Sequence, residues 1–309
     1  MTPFLKPGIH PDPVPSRGPR IPRKLWQTTR DRNAVAPELA ACVDRLKAMN
    51  PGWTHQLFDD ASQVGFIDAV ASDRFRRAYA RINPRYGAMR ADMFRYLVVY
   101  LHGGAYLDLK SGATRPLDTI LRPDDRFLIS QWDNGPDGVH SGAGLHKAPG
   151  GRIVSEYEQW FIIAEPGHPY LAAVIGHVLN EIEGYRALRH SHGYRGVFAT
   201  TGPLAYTLAI EGAESLGLHR RIHAPTEGLK YSQFGDHLAH RALDAGHYFK
   251  HVGAPVTAHG VRGRAWLAYW LSELGYWPVG TLRRLNHARL QRRRARRQAR
   301  AVSVDAAKD

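Results

Sequence analysis

The stretch YGAMRADMFRYLVVYL, residues 86–101, constrains the fold of this chain more than any other. Its apolar positions 89, 93, 96, 97, 100 and 101 recur with the period of a helix. Gly103-Gly104 ends that helix, because glycine tolerates the left-handed conformation of a C-cap. AYLDL then follows as a strand, so a helix and a strand meet through a two-residue turn. Further strands are predicted at KLWQT (24–28), WTHQLFD (53–59), RFLISQW (126–132), QWFIIAEP (159–166) and HYFKHV (247–252). Helices are predicted at 37–50, 61–82, 169–185, 203–216 and 234–245, with Pro51, Pro84 and Gly87 as punctuation. This alternation predicts an α/β fold with a mostly parallel central sheet flanked by helices.

Three regions are expected: a proline-rich, extended, flexible and poorly ordered N-terminal arm over 1–20, a main domain over 21–280, and an Arg-rich tail over 281–309 that reads as a C-terminal basic helix. AWLAYWLSELGYWPV (265–279), with three tryptophans, reads as a packed helix rather than a cofactor box. The formal charge is +14, but residues 281–300 hold nine arginines and no acid. The basic balance therefore belongs mostly to the tail and does not mark a nucleic-acid groove across the fold. The tail has neither interleaved aromatics nor a nucleic-acid motif, which makes nucleic acid an unfavoured partner. It suits instead an anionic membrane surface. No apolar run is long enough to span a bilayer, and the polar N-terminus lacks a signal-peptide core. Cys42 is the lone cysteine, which excludes an intrachain disulfide and favours a reducing compartment. The expected location is the cytoplasm, peripheral on the inner face of the membrane where the tail engages it.

The chemistry concentrates in one short segment. Asp92 and Arg95 share a helix face three residues apart, and strand alternation would place Tyr106, Asp108 and Lys110 on one side. Two acids, an arginine, a phenol and an amine thus converge at the C-terminal end of a strand, where open α/β sheets bind ligands. A surface i,i+3 ion pair beside an unrelated loop acid is the plainer alternative. Acid-x-acid at such a place is a common way to hold a divalent metal against a diphosphate. Here the second acid is Lys110, which supplies a point charge and three donors and cannot ligate a cation while charged.

RADMFRYLVVYLHGGAYLDLK (90–110) resembles the core of the glycosyltransferase family defined by a sugar-binding region with a DXD motif. That family includes fungal α-1,6-mannosyltransferases and bacterial capsule and surface-glycan enzymes. The spacing Asp-x2-Arg-x10-Tyr-x-Asp is also similar to that of the glucosylating domains of large bacterial toxins. IPRKLWQT (21–28), NPGWTHQLFDD (50–60), AEPGHPYL (164–171), TTGPLAY (200–206) and HGVRGRAW (259–266) resemble flanking family segments, so the resemblance spans about residues 21–266. It implies a GT-A-type nucleotide-sugar-binding domain, a UDP- or GDP-hexose donor, a glycan, lipid-linked or capsule acceptor, and retention of anomeric configuration. Asp92 and Arg95 would hold donor sugar and ribose hydroxyls, Tyr106 would line the pocket, and Asp108 would be the first acid of the motif. Trp26 would stack on the base or serve as a core tryptophan. His259 and Trp266 would close over the diphosphate.

Three roles for Lys110 remain open at this level: it touches the diphosphate in place of metal, it leaves Mn²⁺ or Mg²⁺ to Asp108, the diphosphate and His259, or it points away from the site. The last would fit a catalytically silent member that only binds a nucleotide-sugar or glycan. The histidine-rich pieces HLAH (237–240) and HYFKH (247–251) lack an HExxH or Cys-rich framework for zinc, and SGAGLHKAPGG (141–151) matches neither a Walker loop nor a Rossmann fingerprint.

Overall fold

The computed structural model describes residues 3–136, 138, 140–148, 151–234 and 251–282. The N-terminal half holds β1 (Lys24–Thr28), α1 (Pro37–Met49), β2 (Thr54–Phe58), α2 (Asp60–Val70), α3 (Asp73–Arg81), α4 (Gly87–His102) and β3 (Gly104–Leu107). The middle adds β4 (Gly112–Ala113), α5 (Leu117–Ile120), β5 (Phe127–Ile129), the hairpin β6 (Leu145–Lys147) and β7 (Ile153–Ser155), and β8 (Phe161–Ala164). After it come α6 (Pro169–Glu183), α7 (Ala187–His190), α8 (Gly193–Thr200), α9 (Pro203–Glu211), β9 (Arg220–Arg221), α10 (Ala224–Glu227) and β10 (Leu229–Lys230). A last helix, α11, covers 263–282.

Among the described residues, the main sheet has the order β2-β1-β3-β8-β5-β9. Strands β2, β1 and β3 pair in parallel, as do β5 and β9; β8 alone runs the other way, antiparallel to both β3 and β5. The expected mostly parallel α/β sheet is therefore present. Strand alternation divides the core into two layers. Trp26, Tyr106, Phe127 and Ile162 face the layer formed with α2, α3, α4, α6 and α9, whereas Leu25, Leu107, Leu128 and Ile163 face the layer formed with α1 and α5.

β3 is central and every residue in it is buried. Gly103, at φ 61° and ψ −163°, and Gly104, at φ 94°, make the reversal that joins it to α4. A Cβ at Gly104 would lie 2.3 Å from the Lys24 carbonyl oxygen, so only glycine lets β3 enter beside β1.

Two expectations change. The N-terminal arm is not a free extension. Phe4 and Leu5 are buried in the core, Leu5 bridges Ala71, and Asp12 accepts from Lys24 Nζ at 2.8 Å. Burial of these apolar side chains offsets the entropy of ordering a proline-rich segment. The helix expected over 203–216 stops at Glu211, because Gly212 follows and a short 3-10 turn (Glu214–Leu216) takes over. The helix expected over 234–245, most of the strand HYFKHV, and the basic tail from 283 onward lie outside the described residues.

Candidate active site

A cavity of about 580 Å³ opens at the C-terminal ends of β1 and β3 and the segment following β5. That volume is within the range of ligand sites. Thr28, Thr29 and Arg30 enter from the end of β1, and Gly87, Ala88 and Ala91 from the first turns of α4. Tyr86, the N-cap of α4, makes no side-chain cap, and the small residues behind it bring the helix's N-terminal dipole to the cavity.

One wall is a charge cluster. Arg95 Nη2 lies 3.2 Å from Asp92 Oδ1, and Arg95 Nη1 lies 3.2 Å from Asp108 Oδ1. The same guanidinium donates to the Gln159 carbonyl at 3.0 Å and stacks over the Tyr106 ring at 4.6 Å. Asp92 and Arg95 are both buried, so theirs is not a surface ion pair. Thr201 Oγ1 donates to Asp92 Oδ2 at 2.8 Å and Gln159 Nε2 to Asp92 Oδ1 at 3.2 Å. Burial pushes Asp92 up to about 6, against Arg95 and these donors, which pull it down. For Arg95 burial works to lower the pKa, but Tyr106, Asp108 and Asp92 hold it above its ordinary value, so it stays charged. Burial raises the Tyr106 hydroxyl, which shares a hydrogen bond with Thr28 Oγ1 at 2.8 Å and donates a longer one of 3.4 Å to Asp108.

Lys110 faces this cluster. Its Nζ donates to Asp108 Oδ2 at 2.9 Å and sits 4.2 Å from the centroid of the Tyr231 ring. Strand alternation is not what brings it there. The strand ends at Leu107, and a turn in which Ser111 N–H donates to the Asp108 carbonyl at 2.8 Å folds Lys110 back.

The opposite wall comes from the β6–β7 hairpin, α8 and the loops before and after them. His146 pairs with Glu156, and Trp132 Nε1 donates to Glu156 Oε1 at 2.5 Å. Phe198 meets His146 edge-on at 5.2 Å, and Tyr231 meets Trp132 edge-on at 5.0 Å. Gly144, at φ 67°, permits this packing: a Cβ there would lie 2.3 Å from Trp132 and 2.8 Å from Glu156. None of these residues was singled out from the sequence. The available signal was Pro-Gly-Gly between the short segments LHK and RIVS, which reads as a turn.

The structure thus gathers Asp92, Arg95, Tyr106, Asp108 and Lys110 around one cavity and leaves Trp26, His259 and Trp266 off its lining. Trp26 is a core residue, because its Nε1 donates to the Gly103 carbonyl at 2.8 Å, toward the far end of β3. His259 is exposed in a segment tied to α3 through Thr257 N–H and the Arg81 carbonyl. Trp266 stands on α11, 47 % exposed. His190 and His192 pair with Glu181 and Glu273. HLAH and all of HYFKH except His251 lie outside the described residues, among which no group of three His, Cys, Asp or Glu could hold a metal. A divalent cation on Asp108 would meet Lys110 on one oxygen and Arg95 on the other, so this donor set does not fit a metal held by the chain's own side chains.

The cavity, walled by paired carboxylates and fixed cations, thus lies at the strand ends of a mixed α/β fold with a mostly parallel central sheet. Residues 37–128 match the glycosyltransferase sugar-binding region containing the DXD motif. It is 24% identical over 196 residues to an initiation-specific alpha-1,6-mannosyltransferase of Schizosaccharomyces pombe, covering 62% of this chain and 48% of the relative. Over 103 residues it is 32% identical to inositol phosphoceramide mannosyltransferase 3 of the same yeast, covering 33% and 27%. The chain therefore spans about half the length, or less, of these curated relatives. The solved structure of the PaToxG glycosyltransferase superposes with a TM-score of 0.45 at 12% identity, covering 62% of this chain and 70% of that one.

Proposed function

We propose that this chain transfers a hexose from a UDP- or GDP-sugar to a hydroxyl of a glycan, capsule or lipid-linked acceptor, with retention of anomeric configuration. The convergence of Arg95, Asp108 and Lys110 in one wall of the cavity carries the reading. When the sugar C1–O bond breaks, negative charge gathers on the departing diphosphate oxygen. The acceptor oxygen bonds to C1 from the same face, and its proton passes to that departing oxygen, so no second carboxylate is required. Arg95 and Lys110 supply fixed positive charge to the leaving group, and preorganised charge of this kind is typically the largest contribution to catalysis. Asp108 holds both cations in register. Asp92, spent on Thr201, Gln159 and Arg95, positions Arg95 rather than meeting donor hydroxyls itself. The aromatic wall of Trp132 and Tyr231, with the Glu156–His146 pair, receives the acceptor, since flat rings and a hydrogen-bonding pair suit a sugar. The relatives' names favour mannose and either a glycan or an inositol phosphoceramide-like lipid.

The test is nucleoside diphosphate release by the purified chain from a panel of UDP- and GDP-hexoses, with Mn²⁺, with Mg²⁺ and with EDTA. Release from at least one donor, accelerated by acceptor, is expected. Donor binding without release would identify a silent binder, and no binding to any donor would overturn the reading.

A further inference from the structure

The helix α11 is buried along one edge only. Tyr269, Ser272 and Tyr276 face the body: Tyr269 Oη donates to the Val256 carbonyl at 2.9 Å, and Ser272 Oγ accepts from Leu188 N–H at 3.0 Å. The other edge presents Trp266, Leu267, Trp270, Leu271, Leu274 and Trp277, each 44–69 % exposed. Their spacing, four apart at 266, 270 and 274 and at 267 and 271, sets them in one broad stripe. Soluble surfaces rarely carry a continuous apolar patch of this kind without an occupant. The expectation of a packed helix from 265–279 is thus met on one side only.

We infer that this stripe is a docking surface for an anionic lipid bilayer, with α11 lying in the interfacial plane. Two features choose that occupant. Three tryptophans occupy the stripe, and tryptophan concentrates at the headgroup level of membranes. The chain that continues from the helix carries nine arginines and no acid over 281–300, a charge complementary to anionic headgroups. The helix lies on the membrane and does not cross it, since no described helix is long and apolar enough to span. Apolar insertion beside electrostatic attraction is how interfacial helices bind. The inference needs nothing from the transfer reaction, and its test reads no activity.

The full chain should sediment with phosphatidylcholine vesicles containing phosphatidylglycerol, and its tryptophan emission should shift to the blue as it does so. Binding should weaken with salt, as screened surface charge requires. Leu271→Glu with Leu274→Glu should weaken binding roughly tenfold or more and abolish the blue shift, by the loss of two buried aliphatic side chains. Both positions are exposed, so the variant should melt at the parent's temperature. Deleting 283–309 should weaken binding to anionic vesicles and erase their advantage over pure phosphatidylcholine. Failure of the parent to bind anionic vesicles, or equal binding by the double glutamate variant, would overturn the inference. So would a lipid-free dimer that the same two glutamates dissociate, since a second copy would then be the occupant.

Discussion

The two walls of the cavity are made of opposite material. The wall at the ends of β1 and β3 is a network of ions: Arg95 touches two carboxylates, and Asp108 touches two cations. Within this network, removing one charged member leaves its neighbour with less compensation. The wall of the hairpin and α8 is aromatic, with the single Glu156–His146 pair set into it. Charges fix where a leaving group can be stabilised, whereas rings select by shape and tolerate change. The first wall should therefore govern rate and the second should govern which acceptor is used.

The largest expected effect is at Asp108. Asp108→Asn should lower transfer by roughly a hundredfold or more, about 3 kcal/mol of transition-state stabilisation, because Arg95 and Lys110 lose their common anchor. Arg95 keeps its pairing with Asp92, so the variant should still fold, with a melting temperature lowered by the lost ion pairs. Near-parental turnover would break the assignment of rate to this wall.

Asp92 should act through pH. Its folded-state pKa of about 6 lies above the ordinary 3.8, so between these values the folded chain holds a proton that the unfolded chain has lost. Stability from this group is greatest below the window and declines as pH rises through it, by on the order of 3 kcal/mol. Asp92→Asn should lack that decline; urea melts of parent and variant at pH 4 and pH 6.5 measure the difference. Equal pH dependence in both would contradict the buried, ionisable role.

A smaller effect is expected across the cavity. Glu156→Gln and His146→Phe should raise the acceptor KM by about tenfold, the loss of one good hydrogen bond to a charged group. Donor hydrolysis without acceptor should stay unchanged. If both variants lose donor hydrolysis as well, the walls do not divide the work as proposed.

The charged wall was legible because it is local. Helical period over 86–101, a Gly-Gly break and a short strand bring Asp92, Arg95, Tyr106 and Asp108 together within one chain reversal. Their partners Gln159 and Thr201 come from distant segments; TTGPLAY marked the second as family-like without saying that Thr201 donates to Asp92. The second wall was not legible, since Trp132, His146, Glu156 and Phe198 meet only through tertiary packing that depends on the φ of Gly144. Trp26 shows the limit of face parity. It shares a sheet face with Thr28, but its indole points toward Gly103, away from the cavity. Nor could the exposed edge of α11 be told from its buried edge, because both edges carry aromatic residues, tyrosine on the buried one and tryptophan on the exposed one.

The most direct test of the central claim, that fixed cations on this wall stabilise the leaving diphosphate, is a charge exchange at Lys110. Nucleoside diphosphate release is followed for the parent, Lys110→Met and Lys110→Asp, each with EDTA and with added Mn²⁺. Lys110→Met should lose roughly tenfold or more that Mn²⁺ does not restore, because the missing charge was part of the preorganised site. Lys110→Asp rebuilds an acid-x-acid pair and should be inactive in EDTA but recover with Mn²⁺. A Lys110→Met variant that keeps the parent's turnover and the parent's response to EDTA would contradict the claim.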